Sequence, residues 1–139
     1  MSGFAFPGCA LIDLPKYSDG RGNLAVVQPP QHIPFPIARV FYMYGMPEGA
    51  QRGAHAHRRQ SIALIMARGA CLVHLDDAQR RQSVSMQRPD QALLIGPGIW
   101  HELDGFAAGS VCLVLASGVY DEADYVRDKA GFQAEFGKR

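Results

Sequence analysis

Apolar residues in this chain come in short bursts separated by glycine, proline and polar clusters, a rhythm of strands rather than of long amphipathic helices. Residues 9–15 predict a first strand, Asp19-Gly20-Arg21-Gly22 a turn, and residues 23–28 a second strand closed by Pro29-Pro30. The closely spaced prolines of Ile33–Pro36 predict a loop, since they cannot donate to a ladder. Residues 38–44 form a strong β run of aromatic and branched side chains, with Tyr42 and Tyr44 on one face and Phe41 and Met43 on the other. Further strands are predicted at 62–66, 70–75, 83–87, 92–95 and 100–103. The run 110–116 is apolar throughout, as a buried central strand would be. In the tail, Asp121–Phe132 places acids early and bases later, which predicts a short helix. Strands this short and evenly spaced imply one all-β domain over residues 1–139, a closed sandwich or barrel with a short C-terminal helical tail.

Composition narrows the function classes. Fifteen glycines and nine prolines with only 19% charged residues fit a turn-rich β protein. A net charge of +1 and the lack of a basic stripe argue against nucleic acid and membrane surfaces as partners. Cys9, Cys71 and Cys112 are odd in number and unrelated in spacing, so they are expected to be reduced thiols of a cytoplasmic protein. The N-terminal segment lacks a basic stretch followed by an apolar one, and no run is long enough to span a membrane; a soluble, untargeted chain is expected.

The chemistry concentrates in Gly49-Ala-Gln-Arg-Gly-Ala-His55-Ala-His57. In a strand, residues two apart share a face, so both imidazoles would enter one pocket. The Gly-x5-His-x-His spacing resembles the first motif of the cupin barrels, and Gly96-Pro-Gly-Ile-Trp-His101 partly resembles the second. Three readings of the pair stay open: acid–base catalysis by imidazoles titrating near neutrality, metal ligation, or a hydrogen-bonded structural pair. Against a metal, Gln60, Ser61 and Ile62 stand where a carboxylate ligand would be wanted, and no carboxylate lies between His57 and Asp76. His101 could still complete a three-histidine set. Arg21, Arg39 and Arg52 sit at turns or strand edges, where a guanidinium could grip a diphosphate; Arg52 is best placed, three residues before His55. Tyr42 and Tyr44 could contact a sugar or base. His32 and His74 are expected to be a loop residue and a solvated strand residue without a role.

Several blocks together carry more than a fold. Arg39-Val-Phe-Tyr-Met-Tyr-Gly45, Arg52-Gly-Ala-His-Ala-His57, Leu72–Asp77, Gly96-Pro-Gly-Ile-Trp-His-Glu102 and the tail Tyr120-Asp-Glu-Ala-Asp-Tyr-Val-Arg-Asp128 resemble the sugar 3,4-ketoisomerases, from about Leu11 to Phe132. These are small cupins acting on dTDP-4-keto-6-deoxyglucose. The resemblance implies a cytoplasmic homodimer that exchanges N-terminal strands and moves the sugar carbonyl from carbon 4 to carbon 3 without a metal or cofactor. The product would feed an aminotransferase making 3-amino-3,6-dideoxy sugars for surface glycans such as the lipopolysaccharide O-antigen. Taken with the residue chemistry, it makes His55 the expected base with His57 as partner, and Arg21, Arg52, Tyr42, Tyr44 and His101 the expected substrate-binding residues. Arg21 and His101 together resemble the branch whose product has the galacto configuration. The chain departs from the family pattern at Phe41, where members often carry Tyr, and at Ala54 and Ile62. Two alternatives remain, a metal-dependent cupin enzyme using His55, His57 and His101, and a non-catalytic sugar-nucleotide binding module.

Overall fold

The run Ile62–Met66 has no polar residue because it is covered on both faces. Ile62, Leu64 and Met66 enter the main core with Val73, Leu93 and Val114, while Ala63 and Ile65 pack outward against Ile33, Phe35 and Leu115. The proline-rich segment read as a loop is therefore a lid of apolar side chains laid over the outer face of a sheet. Covering both faces removes every position at which alternation would place a polar residue.

In this computed structural model, which describes residues 4–137, the strands are β1 (Cys9–Asp13), β2 (Lys16–Asp19), β3 (Gly22–Ala25), β4 (Arg39–Tyr44), β5 (Arg52–His57) and β6 (Ile62–Arg68). They continue with β7 (Cys71–Asp76), β8 (Arg81–Met86), β9 (Gln91–Ile95), β10 (Trp100–Asp104), β11 (Val111–Ala116) and β12 (Tyr125–Val126), with a 3₁₀ turn at Glu122–Asp124 and one helix, α1 (Lys129–Phe136). One sheet has the order β1-β9-β6-β11-β4 and the other β12-β5-β10-β7-β8. Pairing is antiparallel in both. Their inner faces share one core, in which Leu64 and Met66 of the first sheet meet Val73, Leu75, Met86 and Leu103 of the second. This is the all-β cupin-type barrel with a C-terminal helix. No helix among the described residues is long and apolar enough to cross a membrane. The first residues of the N-terminal segment, Met1, Ser2 and Gly3, lie outside the described range.

Two expectations need correction. The first strand stops at Asp13, and the turn at residues 19–22 is the tip of a hairpin, β2–β3, that pairs only with itself. All eight of its residues are exposed. A strand with no buried face carries no alternation, so Lys16–Asp19 gives no β signal, and the strand expected over 23–28 ends at Ala25. The tail is not one helix from Asp121. Its acidic start is the 3₁₀ turn, Tyr125–Val126 pairs with β5, and only then does Asp128 cap α1 by accepting from the Gly131 N–H. Phe132 of α1 is fully buried with Trp100, Ala56 and Val126, so the helix braces the back of β5.

Candidate active site

Gly53 (φ 81°) and Ala54 (φ 62°) interrupt β5 just ahead of its histidines. The register with β10 skips Ala54, pairing His55 with His101 and Gly53 with Glu102. Such a bulge bends the strand and re-aims the side chains after it. Position 53 requires glycine, because a Cβ there would stand 2.9 Å from the His101 carbonyl oxygen as well as being strained. Ala54 carries a backbone strain of about 1–2 kcal/mol, repaid by the pairing on either side.

Beyond the bulge the strand alternates cleanly. Ala56 faces outward, fully buried under α1, while His55 and His57 face inward. Their ring centroids are 5.1 Å apart, and the His101 ring lies 4.7 Å from His55 and 5.9 Å from His57. Tyr125 pairs opposite His57 on β12, its ring 4.6 Å from His57 and 4.9 Å from His55. These rings line a cavity of about 150 Å³, with Phe41 and Met43 of β4 opposite and the exposed Arg52 and Arg127 beside it. Clefts that enclose a whole ligand run to about 300–1,000 Å³, so this one has room for a sugar ring but not for a nucleoside diphosphate.

Burial holds the His55 imidazole down at about 4, helped by its neighbour His57. It pushes His101 down to about 3, with His55 and His57 adding to the effect. His57 is also held below its ordinary value by burial, against the opposing pull of Asp124. All three imidazoles are thus neutral at pH 7 and able to accept a proton. His101 Nδ1 lies 3.2 Å from the Ile99 carbonyl oxygen, so it carries the proton. His57 Nδ1 lies 3.4 Å from Oδ2 of Asp124, a contact slightly longer than a well-formed hydrogen bond. Facing a carboxylate, Nδ1 is again the protonated nitrogen and Nε2 keeps its lone pair. Asp124 is itself fixed by the backbone N–H groups of Arg59 (2.7 Å) and Gln60 (3.2 Å).

The depressed values set a pH dependence. With His55 as base its neutral form is the working one, so kcat/KM should fall only as pH drops through about 4. An acid limb near 6.5 in the pH–rate profile would contradict this. For stability, the unfolded chain binds protons on imidazoles near 6.5 that the fold does not accept. Stability is therefore complete above about 6.5 and is lost as pH falls toward 4 and 3. His101→Gln is expected to flatten the fall in Tm across that window; an unchanged slope would refute the assignment.

The structure brings His55, His57, His101 and Arg52 to one cavity. It does not bring Tyr42 and Tyr44 there. Strand parity turns them to the outer face of β4, 61% and 70% exposed with their rings stacked 5.8 Å apart, and gives the cavity Phe41 and Met43 instead. Arg21 sits at the tip of the β2–β3 hairpin, bound to Asp19 at 2.7 Å, and lines a separate groove made by the hairpin. His74 is not merely solvated: it lies between Ser83 (2.7 Å) and Asp104 (2.8 Å) on the second sheet. His32 accepts the Gln28 N–H within its loop. The ring nitrogens of His55, His57 and His101 lie within 4.8 Å of one another. Three imidazoles with an open fourth position are a donor set that zinc can take, and no carboxylate joins it among the described residues. Sequence reasoning missed Asp124, Tyr125 and Arg127, which reach the site only because β12 folds back onto β5.

Residues 7–137 match the family model described as FdtA, WxcM-like, C-terminal. The chain belongs to this family of sugar 3,4-ketoisomerases. It is 37% identical over 128 residues, 92% of each chain, to the TDP-4-oxo-6-deoxy-alpha-D-glucose-3,4-oxoisomerase of Aneurinibacillus thermoaerophilus. It superposes with a TM-score of 0.94 and 33% identity on QdtA, a sugar 3,4-ketoisomerase of Thermoanaerobacterium thermosaccharolyticum in complex with TDP, covering 97% of this chain and 98% of that one. The WlaRB TDP-quinovose 3,4-ketoisomerase of Campylobacter jejuni gives a TM-score of 0.88 at 36% identity, over 93% and 99% of the two chains. Like these relatives, the chain is an isomerase of keto sugars.

Proposed function

We propose that this enzyme moves the carbonyl of TDP-4-keto-6-deoxyglucose from carbon 4 to carbon 3. The observation that carries the reading is the pair of neutral imidazoles, His55 and His57, side by side in a cavity sized for a sugar ring. The ketone at carbon 4 acidifies the proton on carbon 3. His55 takes that proton, and the carbon–hydrogen electron pair forms the carbon 3–carbon 4 double bond of an enediolate. Returning the proton at carbon 4 leaves the ketone at carbon 3. Arg52, exposed and lining the cavity, offers a guanidinium to the diphosphate of the substrate. The decisive test is deuterium wash-in from heavy water at carbons 3 and 4 of TDP-4-keto-6-deoxyglucose. Incorporation with formation of the 3-keto sugar is expected. TDP binding without incorporation would instead make the chain a sugar-nucleotide binding module.

The working unit in this reading is a cytoplasmic homodimer with exchanged N-terminal hairpins. Support comes from two exposed surfaces, the self-paired β2–β3 hairpin with Tyr17 and Leu24 outward, and the end strand β4 with Val40, Tyr42 and Tyr44 outward. An unpaired edge and an unpacked hairpin satisfy each other when two copies exchange them. Exchange would carry Arg21 to the partner's cavity. Co-expressing His55→Ala with Arg21→Ala should then restore about a quarter of parental activity, since each mixed dimer rebuilds one of two sites. A monomer by light scattering, or no restoration, would overturn the exchange. With Arg21 and His101 near the reacting carbons, the product is assigned the galacto configuration; an equatorial carbon-4 hydroxyl in the NMR couplings of the aminated product would reverse that. The 3-keto product suits transamination toward 3-amino-3,6-dideoxy sugars of O-antigens. The free cysteines fit a reducing compartment.

A further inference from the structure

Moving a carbonyl between adjacent carbons requires proton traffic on oxygen as well as on carbon. As the carbon-3 proton leaves, the carbon-4 oxygen gains electrons and must be protonated. As carbon 4 is protonated, the carbon-3 hydroxyl must lose its proton. Histidines that serve the carbons do not automatically serve the oxygens, and the ring-sized cavity offers few other groups. Its remaining lining is apolar apart from two guanidiniums and Tyr125. Tyr125 is the sole hydroxyl among the described residues lining it, and no carboxyl, lysine or thiol does so.

We infer that Tyr125 is the oxygen-side proton carrier of this site, and that Arg39 is the residue that positions it. The inference rests on the isomerase reading above. The phenol gives its proton to the carbon-4 oxygen while His55 takes the carbon-3 proton. The phenolate then accepts the proton of the carbon-3 hydroxyl, whose electron pair becomes the new carbonyl, as the imidazolium returns its proton to carbon 4. Both groups end as they began, and no oxidant or reductant is consumed.

The geometry around the ring supports each part. Arg39 Nη2 donates to the Tyr125 hydroxyl at 3.2 Å, occupying a lone pair and leaving the phenolic hydrogen free to turn into the cavity. The Arg39 guanidinium forms no ion pair among the described residues. Its Nε and Nη1 atoms are buried without a hydrogen-bond partner, and it lies against the Phe41 and Tyr120 rings. Arg39 is half-buried, and donors withdrawn from water with no carboxylate beside them favour negative charge nearby, which arises on the phenol and enediolate oxygens during turnover. On the ring face, Arg127 stands 4.3 Å from the centroid, held there by Glu122. The neutral imidazoles fit the same division of labour: none is charged before the reaction, so none is an imidazolium ready to protonate oxygen.

Tyr125→Phe removes the hydroxyl and keeps the ring packing. The expected result is a kcat lowered roughly 10²–10⁴-fold with TDP affinity unchanged. In heavy water, deuterium incorporation at carbon 3 of recovered substrate should rise relative to isomerisation, because His55 still exchanges the carbon proton while the oxygen step fails. Turnover within three-fold of the parent, or exchange and isomerisation falling in equal measure, would overturn the role. If the parent itself shows neither exchange nor isomerisation, the isomerase reading fails instead. Site-specific replacement of Tyr125 by 3-fluorotyrosine supplies a variant with native packing, in which the alkaline limb of the kcat profile should move to lower pH; an unmoved limb overturns the proposal. For Arg39, Arg39→Ala should match Tyr125→Phe and Arg39→Lys should recover at least ten-fold of the loss. A Lys variant no better than Ala would remove the positioning role.

Discussion

His55→Ala is expected to lower kcat roughly 10²–10⁴-fold while TDP still binds and the melting temperature holds or rises. The direction on stability follows from the site itself. His55 is pushed down to about 4 by burial and by His57, so the fold gains nothing from its charged form and loses little when the ring is removed. The kinetic loss follows from position: the His55 ring lines the cavity in contact with those of His57, His101 and Tyr125, and it stands nearer to His101 (4.7 Å) than His57 does (5.9 Å). Deuterium exchange at carbon 3 should vanish together with turnover, which distinguishes this variant from Tyr125→Phe. Turnover within a few-fold of the parent would move the base to His57. Retained exchange with lost turnover would give His55 a part in the oxygen steps instead.

The histidine strand was legible because its signal is local. Two imidazoles two residues apart, after a glycine, need only a strand to share a face, and strand parity does not depend on the rest of the chain. Parity also separated Phe41 and Met43 from Tyr42 and Tyr44 but could not say which pair faces inward. That choice depends on β11 covering one edge of β4 and on which face meets the core. The two phenols drew the substrate assignment, whereas the apolar pair lines the cavity. The β2–β3 hairpin left no trace because alternation records burial, and none of its residues is buried within one chain. The acidic and basic ends of the tail suggested one helix, since charge order reports helix ends but not an interruption. The two-residue strand β12 exists only through its ladder to β5, a partner some 70 residues away that local periodicity does not reveal. Asp124, Tyr125 and Arg127 were lost with it, although all three lie within one four-residue stretch of a block that carries the family resemblance.

Asp124→Asn is expected to lower kcat roughly 10²–10⁴-fold with little change in KM, by reversing the tautomer of His57. The carboxylate is 2% exposed and committed on both oxygens: Oδ1 accepts the Arg59 N–H, and Oδ2 accepts the Gln60 N–H and faces His57 Nδ1. Only an acceptor serves all these donors. An amide must turn its NH₂ toward one side. Turned to the backbone, it leaves the Gln60 or Arg59 N–H unpaired in the interior, at a cost of about 1–3 kcal/mol. Turned to His57, it donates to Nδ1 and forces the proton onto Nε2, removing the lone pair from the cavity. Asp124→Ala avoids the tautomer reversal but leaves both backbone donors unpaired, so it should cost more stability, lowering Tm by roughly 10 °C. The two variants together separate the functions of this carboxylate. Asparagine should be the worse enzyme and alanine the less stable protein, as read from kcat and from thermal unfolding on the same samples. Equal kcat values for the two would show that Asp124 acts on His57 only by holding the Arg59–Gln60 backbone, and that the 3.4 Å contact carries no control of the imidazole.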